Sequence, residues 1–115
     1  YLLGVATGKS RVGLDRSLKH HQIAHLFHET RTADESFSKP HPGMLLELSD
    51  VTQVPTRRML MIGDTTHDLD MAANAGVDAL AVTYGAHPPD TLKTSKSLAH
   101  VDDVAELSQW LKQNL

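Results

Sequence analysis

The chain of 115 residues contains no cysteine, few aromatic residues and no long apolar run. Without cysteine, the sequence excludes a disulfide scaffold, a thiolate zinc site and a thiol nucleophile. A reducing compartment fits this composition, and we expect a cytoplasmic protein. No stretch approaches the roughly 18 apolar residues of a membrane span, and the N-terminus lacks the basic start of a secretory signal. We therefore expect no membrane partner.

An excess of charge of one sign is also lacking. The 11 basic and 14 acidic side chains give a net charge of −3, too weak an imbalance for a protein that binds a phosphate backbone. We therefore expect no nucleic acid partner. The length is typical of one domain, and the 40% hydrophobic content is typical of a folded one. The chemistry must then depend on a few polar residues.

What the chain does contain is a regular alternation of strand and helix patterns. The predicted strands are Tyr1–Ala6, Glu29–Thr32, Met59–Ile62 and Leu80–Val82. The predicted helices run from Arg11 to about Lys19, from Pro42 through Leu48, from Asp68 to Ala75 and from Val101 to Leu111, with a short helical turn at Ile23–Phe27. This order predicts an α/β fold, a doubly wound parallel sheet with helices on both faces. Its ligand site would lie at the carboxyl ends of the strands.

Two of these helices carry apolar residues at helical spacing. Val12, Leu14 and Leu18 are predicted to share the buried face of the first helix. Val104, Leu107 and Leu111 are predicted to do so in the last. We expect both faces to pack on the sheet.

The strongest local signal is the segment from Gly63 to Asp68, directly after an apolar strand. Gly63 permits a sharp turn, Asp64 lies at the strand tip, and Asp68 opens the next helix. Two carboxylates facing one small volume repel each other, and a hard cation such as Mg²⁺ would offset that repulsion. The alternative is structural: Asp64 is a turn residue, and Asp68 is a charge favoured by the helix dipole.

Two further strand ends carry polar groups. Thr7 and Gly8 offer a hydroxyl and backbone N–H groups to an anion, although Thr7 or Ser10 could instead cap the next helix. Lys39 could neutralise a phosphate and nearby carboxylates, although an isolated lysine is usually just solvated. Taken together, the three strand ends predict one site for an anion and a metal.

In this order the three segments resemble a known family. Val5-Ala6-Thr7-Gly8, Lys39-Pro40-x-Pro42 and Gly63-Asp64-Thr65-x-x-Asp68 are similar to motifs two, three and four of the haloacid dehalogenase-like hydrolases, especially the phosphoglycolate phosphatase-like branch. The resemblance extends from about Leu3 to Leu111. It implies a Rossmann-like fold and a Mg²⁺-dependent phosphatase that acts on a small phosphorylated metabolite.

The resemblance also implies a role for each site residue. Thr7, with Gly8, would bind the phosphoryl group, and Lys39 would stabilise its charge and the nucleophile. Asp64 would bind Mg²⁺ directly, while Asp68 would hold a metal-bound water or brace Lys39. Thr7, Lys39, Asp64 and Asp68 are thus the candidate catalytic residues, with Asp64 and Asp68 at the metal.

One departure from the family is large. The Asp-x-Asp-x-Thr motif, which supplies the aspartate nucleophile after the central first strand, is absent, and so is the cap domain that largely determines the substrate. We therefore expect residues 1–115 to be the C-terminal part of such a core domain, without a cap and without the central strand. The chain alone should be inactive, and self-association through the incomplete sheet is one way to close the gap.

Parts of the sequence also resemble two other functional classes. Gly8-Lys9-Ser10 resembles the end of a nucleotide-binding P-loop, but that loop needs four residues between its glycines and Gly4 to Gly8 has only three. A phosphorylated receiver module would require Asp64 to be both phosphate acceptor and metal ligand, and the acidic pair expected near its first strand is missing. Both interpretations are less favoured than the hydrolase.

The eight histidines suggest a separate metal hypothesis. His21 and His25 are spaced i, i+4, as a pair that chelates zinc on one helix face would be. The family resemblance implies a helix end between His21 and Ile23, so a solvated surface is the favoured explanation. His87 could line the entrance to the site.

Overall fold

The computed structural model describes residues 1–85 and 96–115. The strands are β1 (Gly4–Thr7), β2 (Glu29–Thr32), β3 (Leu60–Gly63), β4 (Asp78–Val82) and β5 (Ala99–Val101). The helices are α1 (Arg11–His20), α2 (Gly43–Thr52), α3 (Thr66–Ala75) and α4 (Val104–Asn114), with 3₁₀ turns at Ala24–Leu26 and Thr56–Arg58. The predicted alternation is confirmed. His87, which was predicted to line the entrance to the site, lies outside the described residues.

Every strand pair in the described part of the chain is parallel, which confirms the predicted α/β class. The strands form two sheets, β1-β2 and β3-β4-β5. Within the described ranges, β1 and β3 belong to different sheets and form no ladder with each other. A gap therefore lies at the position where the resemblance expects a central strand.

Strand β4 is the centre of the packed core. Its alternate residues belong to two apolar clusters, because successive side chains of a strand point to opposite faces. Ala79 and Ala81 pack with α2 and α3, whereas Leu80 and Val82 pack with β5 and with Leu107 and Trp110 of α4. A strand buried on both faces is typical of a parallel sheet covered by helices on each side.

Burial falls sharply from β4 toward the gap. Ile62 of β3 and Leu80 of β4 are register partners, yet Ile62 is 41% exposed and Leu80 is 0% exposed. Both side chains are large and apolar, so the difference reflects their neighbours rather than their chemistry. Strand β3 therefore lacks cover on the side that faces β1.

Strand β1 begins at Gly4 and not at Tyr1 as predicted, and the predictions for Val12, Val104 and the start of the last helix were also wrong. Val12 is 67% exposed while Leu14 and Leu18 are buried, because a residue two positions before Leu14 points to the opposite side of a helix. Val104 is also 67% exposed, and nothing in the packing of α4 explains it. The last helix begins at Val104 rather than Val101, since the preceding residues form β5 and Asp103 caps the helix through the Glu106 N–H at 2.7 Å.

Across the described ranges, every helix is too short or too polar to cross a membrane.

Candidate active site

A cleft of about 310 Å³ lies between β1 and β3. It extends to the carboxyl ends of these strands, where the sequence predicted a site. The predicted residues that line it are Thr7, Lys39, Asp64 and Asp68. Gly8 is not among the lining residues. The structure therefore brings together side chains from three separate chain segments at one cleft.

The start of helix α3 fixes the position of Asp68. Thr65 is the N-cap residue, and its hydroxyl accepts a hydrogen bond from the Asp68 N–H at 3.2 Å. The Asp68 carboxylate accepts in return from the Thr65 N–H at 3.2 Å and from the Asp64 N–H at 3.1 Å. This is a capping box, so α3 begins at Thr66 and not at Asp68 as predicted. The Thr-x-x-Asp pattern could have revealed this start.

Lys39 forms an ion pair with Asp68. The Lys39 ammonium donates to Oδ1 of Asp68, while Oδ2 accepts from the two backbone N–H groups. The side chains of Lys39 and Asp68 are only 18% and 5% exposed. Both carboxylate oxygens are therefore engaged, which supports the bracing role among the two that the resemblance implied for Asp68.

The pKa of Asp68 reflects two opposing influences. Burial, the largest single influence, raises the pKa because it penalises the charged carboxylate. Hydrogen bonding and charge from Lys39, together with hydrogen bonds from Thr65, outweigh it, and the pKa lies below its ordinary value. Asp68 is therefore an anion in the folded protein.

This lowered pKa predicts a pH dependence of stability. On acidification the unfolded chain binds the Asp68 proton first, near the ordinary value of 3.8, so the contribution of Asp68 is complete above that value and is lost as the pH falls through the folded pKa. Urea unfolding of the wild type and of Asp68→Asn at stepped pH should show this step only in the wild type. Parallel profiles for the two proteins would contradict the assignment.

Two hydroxyl groups near the turn after β1 have different roles. The Thr7 hydroxyl accepts from the Lys9 N–H at 3.1 Å, whereas the Ser10 hydroxyl caps α1 by accepting from the Gly13 N–H at 3.1 Å. A hydroxyl that accepts one hydrogen bond keeps its own proton to donate. The capping alternative thus holds for Ser10, and Thr7 can donate to an anion in the cleft.

Contacts of the residues that follow Lys39 also hold its loop in place. The Asn74 side chain of α3 donates to the Pro40 carbonyl at 3.0 Å. His41 accepts from the Gly43 N–H at 2.9 Å, and its ring stacks on Phe37 with centroids 4.1 Å apart. Sequence reasoning missed Asn74, because its partner lies 34 residues away and no local pattern marks it.

Arg11 ties the first turn of α1 to the loop that leads to Lys39. Its guanidinium N–H groups donate to Glu35, Asp15 and Thr30, which uses all five donors of the side chain. The Arg11 backbone N–H donates to Asp34 of the same loop at 3.1 Å. The Arg11 side chain, and then the Thr32 hydroxyl, hold the pKa of Glu35 below its ordinary value. This network was not predicted from the sequence.

The histidine hypothesis gains no support from the geometry. His21 is the C-cap residue of α1 and His25 lies in the following 3₁₀ turn, so the two do not share a helix, as expected. Over residues 1–85 and 96–115, no three His, Cys, Asp or Glu side chains are grouped in a way that could hold a metal ion. The P-loop interpretation also fails, since Gly4 is a residue of strand β1.

Comparison with known proteins shows which family the sequence of this chain matches. The sequence profile of the haloacid dehalogenase-like hydrolases matches residues 1–82. The chain is 36% identical over 108 residues to a protein of Dickeya dadantii named probable phosphatase IndB, covering 93% of this chain and 47% of that protein. It is 33% identical over 97 residues to the phosphoglycolate phosphatase of Aliivibrio fischeri, covering 84% of this chain and 43% of that protein.

A solved structure agrees with the sequence relatives. The crystal structure described as a predicted phosphoglycolate phosphatase of Haemophilus somnus superposes with a TM-score of 0.88 at 28% identity, covering 96% of this chain and 50% of that one. The chain thus spans about half the length of the relatives it matches. With most of the chain matched by the family profile, and with the three motifs meeting at one cleft, the protein belongs to the haloacid dehalogenase-like hydrolases.

Proposed function

We propose that residues 1–115 form the C-terminal part of the catalytic core of a Mg²⁺-dependent phosphatase acting on small phosphate esters, similar to a phosphoglycolate phosphatase. The observation that carries the proposal is the meeting of Thr7, Lys39 and Asp64 at one cleft, with Asp68 bracing Lys39. A hydroxyl donor, an ammonium group and a carboxylate are groups that bind and polarise a phosphoryl group and its metal in a phosphoryl-transfer site. The cytoplasm is the proposed location of such an enzyme.

Each of these side chains has a role that follows from its chemistry. The Thr7 hydroxyl donates to a phosphoryl oxygen, and the Lys39 ammonium stabilises the negative charge that develops during transfer. Asp68 keeps the ammonium in place through their ion pair, because its own carboxylate is fixed by two backbone N–H groups. The ammonium therefore needs little reorganisation when charge develops beside it.

The carboxylates suit a hard cation in different ways. Asp64 lines the cleft with the carboxylate oxygens that Mg²⁺ prefers, and both oxygens of Asp68 bond to Lys39 and to backbone N–H groups. Asp64 would therefore hold the ion directly, and Asp68 would contribute at most through a bound water. When bound, Mg²⁺ would offset phosphate charge and orient the phosphoryl group.

The gap between β1 and β3 is the proposed place of the missing nucleophile. By the resemblance, the strand that ends in Asp-x-Asp-x-Thr lies there, and its carboxylate would face Thr7 and Lys39 across the cleft. An inserted parallel strand would also cover Ile62 and pair the inner edges of both sheets. The substrate specificity would come from the cap, as the resemblance implies.

A Mg²⁺ titration of this chain tests the proposed site. We expect weak binding, because one carboxylate supplies fewer ligands than octahedral Mg²⁺ requires. Amide chemical shifts should move at Asp64 and Thr65, and Asp64→Asn should abolish the change. Asp78→Asn, at the opposite end of the sheet, is the matched control and should bind as the wild type does. Shifts confined to residues 21–28 would overturn the assignment.

A further inference from the structure

Gly85, just beyond strand β4, lies directly against Asp64. A Cβ atom built on Gly85 would fall 2.7 Å from the Asp64 Cγ and would overlap the Cβ and Oδ2 atoms even more closely. Rotation of the Asp64 side chain cannot relieve this overlap, because the Asp64 Cβ atom is itself part of it. Any side chain at position 85 therefore displaces either Asp64 or the backbone of Gly85 itself.

Backbone conformation does not explain this glycine. Of the glycines in the described ranges, Gly76 is the one with a left-handed φ, at 74°. Gly85 does not have a left-handed φ. The contact with Asp64 is thus the structural reason for the missing side chain at this position.

Both sides of the contact are anchored. The Asp64 N–H donates to the buried Asp68 carboxylate at 3.1 Å. Two residues before Gly85, the Thr83 N–H donates to the Val101 carbonyl at 2.9 Å and the Thr83 hydroxyl donates to Asp102 at 2.6 Å. The carboxylate of Asp64 is therefore held between the start of α3 and the exit of β4.

We propose that Gly85 is a positioning residue, whose missing side chain lets the β4 exit pack on Asp64 and fix its carboxylate for a divalent cation. The inference rests on the proposed function of Asp64. Mg²⁺ demands nearly ideal octahedral geometry, so a small displacement of one of few ligands weakens binding strongly. Groups that orient a metal ligand typically change affinity by about 10- to 100-fold when altered.

The test is a Mg²⁺ titration of the wild type, Gly85→Ala and Gly4→Ala, followed by amide chemical shifts and by thermal unfolding. Gly4 is the matched control, because a Cβ there would meet its nearest atom, the Glu29 carbonyl oxygen, at an ordinary 3.4 Å. We expect Gly85→Ala to bind Mg²⁺ at least about tenfold more weakly. Its melting temperature should match that of the wild type, and Gly4→Ala should keep full binding.

Each other outcome overturns the inference in a recognisable way. Unchanged Mg²⁺ affinity in Gly85→Ala would show that the backbone at position 85 moves and Asp64 does not. Loss of both affinity and melting temperature in Gly85→Ala would assign Gly85 a general structural role. Absence of Mg²⁺-dependent shifts at Asp64 in the wild type would overturn the proposed metal site itself, and this inference with it.

Discussion

Replacing Lys39 with methionine in a completed enzyme should lower kcat by about 100-fold or more, with a much smaller change in KM. The ammonium acts on charge that develops in the transition state, so its loss raises the barrier more than it weakens substrate binding. The completed enzyme is a chimera of this chain with the N-terminal half of the Aliivibrio fischeri phosphoglycolate phosphatase. Hydrolysis of p-nitrophenyl phosphate and of phosphoglycolate in the presence of Mg²⁺ provides the measurement.

The controls separate chemistry from folding. Lys19→Met, an exposed position in the last turn of α1, removes the same charge and should leave kcat unchanged. Residues 1–115 alone should show no turnover, because Thr7, Lys39 and Asp64 bind and polarise a phosphoryl group but none of them is the attacking carboxylate. Turnover by the isolated chain that survives Asp64→Asn would place the chemistry on other residues.

Replacing Asp68 with asparagine should lower the free energy of unfolding by about 3 kcal/mol near neutral pH, because removing one partner of a buried ion pair leaves the other charge uncompensated. The Lys39 ammonium is the charge left behind, and it keeps little exposure with which to regain water. Urea unfolding of the isolated chain provides the measurement. Asp70→Asn, exposed on the same helix, should change the free energy by less than about 0.5 kcal/mol.

A double-substitution cycle distinguishes the ion pair from the capping box. Lys39→Met removes the charge that Asp68 neutralises, so Asp68→Asn should lower the free energy of unfolding by less in that background. If Asp68→Asn lowers the free energy of unfolding equally in both backgrounds, the whole effect of Asp68 comes from its hydrogen bonds with the backbone N–H groups.

The sequence was most informative where the chemistry is local. Gly63, Asp64 and Asp68 lie within six residues, and an apolar strand before them places them at a strand end. Helix α3 ends at Ala75, as predicted, and Gly76 follows it in the left-handed conformation. The order of three motifs along the chain then sufficed to predict that Thr7, Lys39 and Asp64 share one site, which the cleft supports.

What the sequence did not reveal depends on contacts between distant segments. Arg11 pairs with Glu35, and Asn74 bonds to Pro40, across separations that no periodic pattern encodes. Strand β5 is three residues long and includes a histidine, so it lacks an apolar run. Whether Asp68 binds metal or braces Lys39 depends on the direction of its carboxylate oxygens, which only atomic positions show.

The four methionines of the chain lie together in the cluster that joins the two sheets. Met44 and Met71 are fully buried, and Met59 and Met61 pack against them on the face covered by α2 and α3. Methionine is unbranched and flexible, and it fills irregular spaces at little cost. The join between the sheets is thus made of adaptable side chains rather than a rigid backbone ladder. When a further strand packs between β1 and β3, these methionines can adjust by changing rotamer, with no change in the fold.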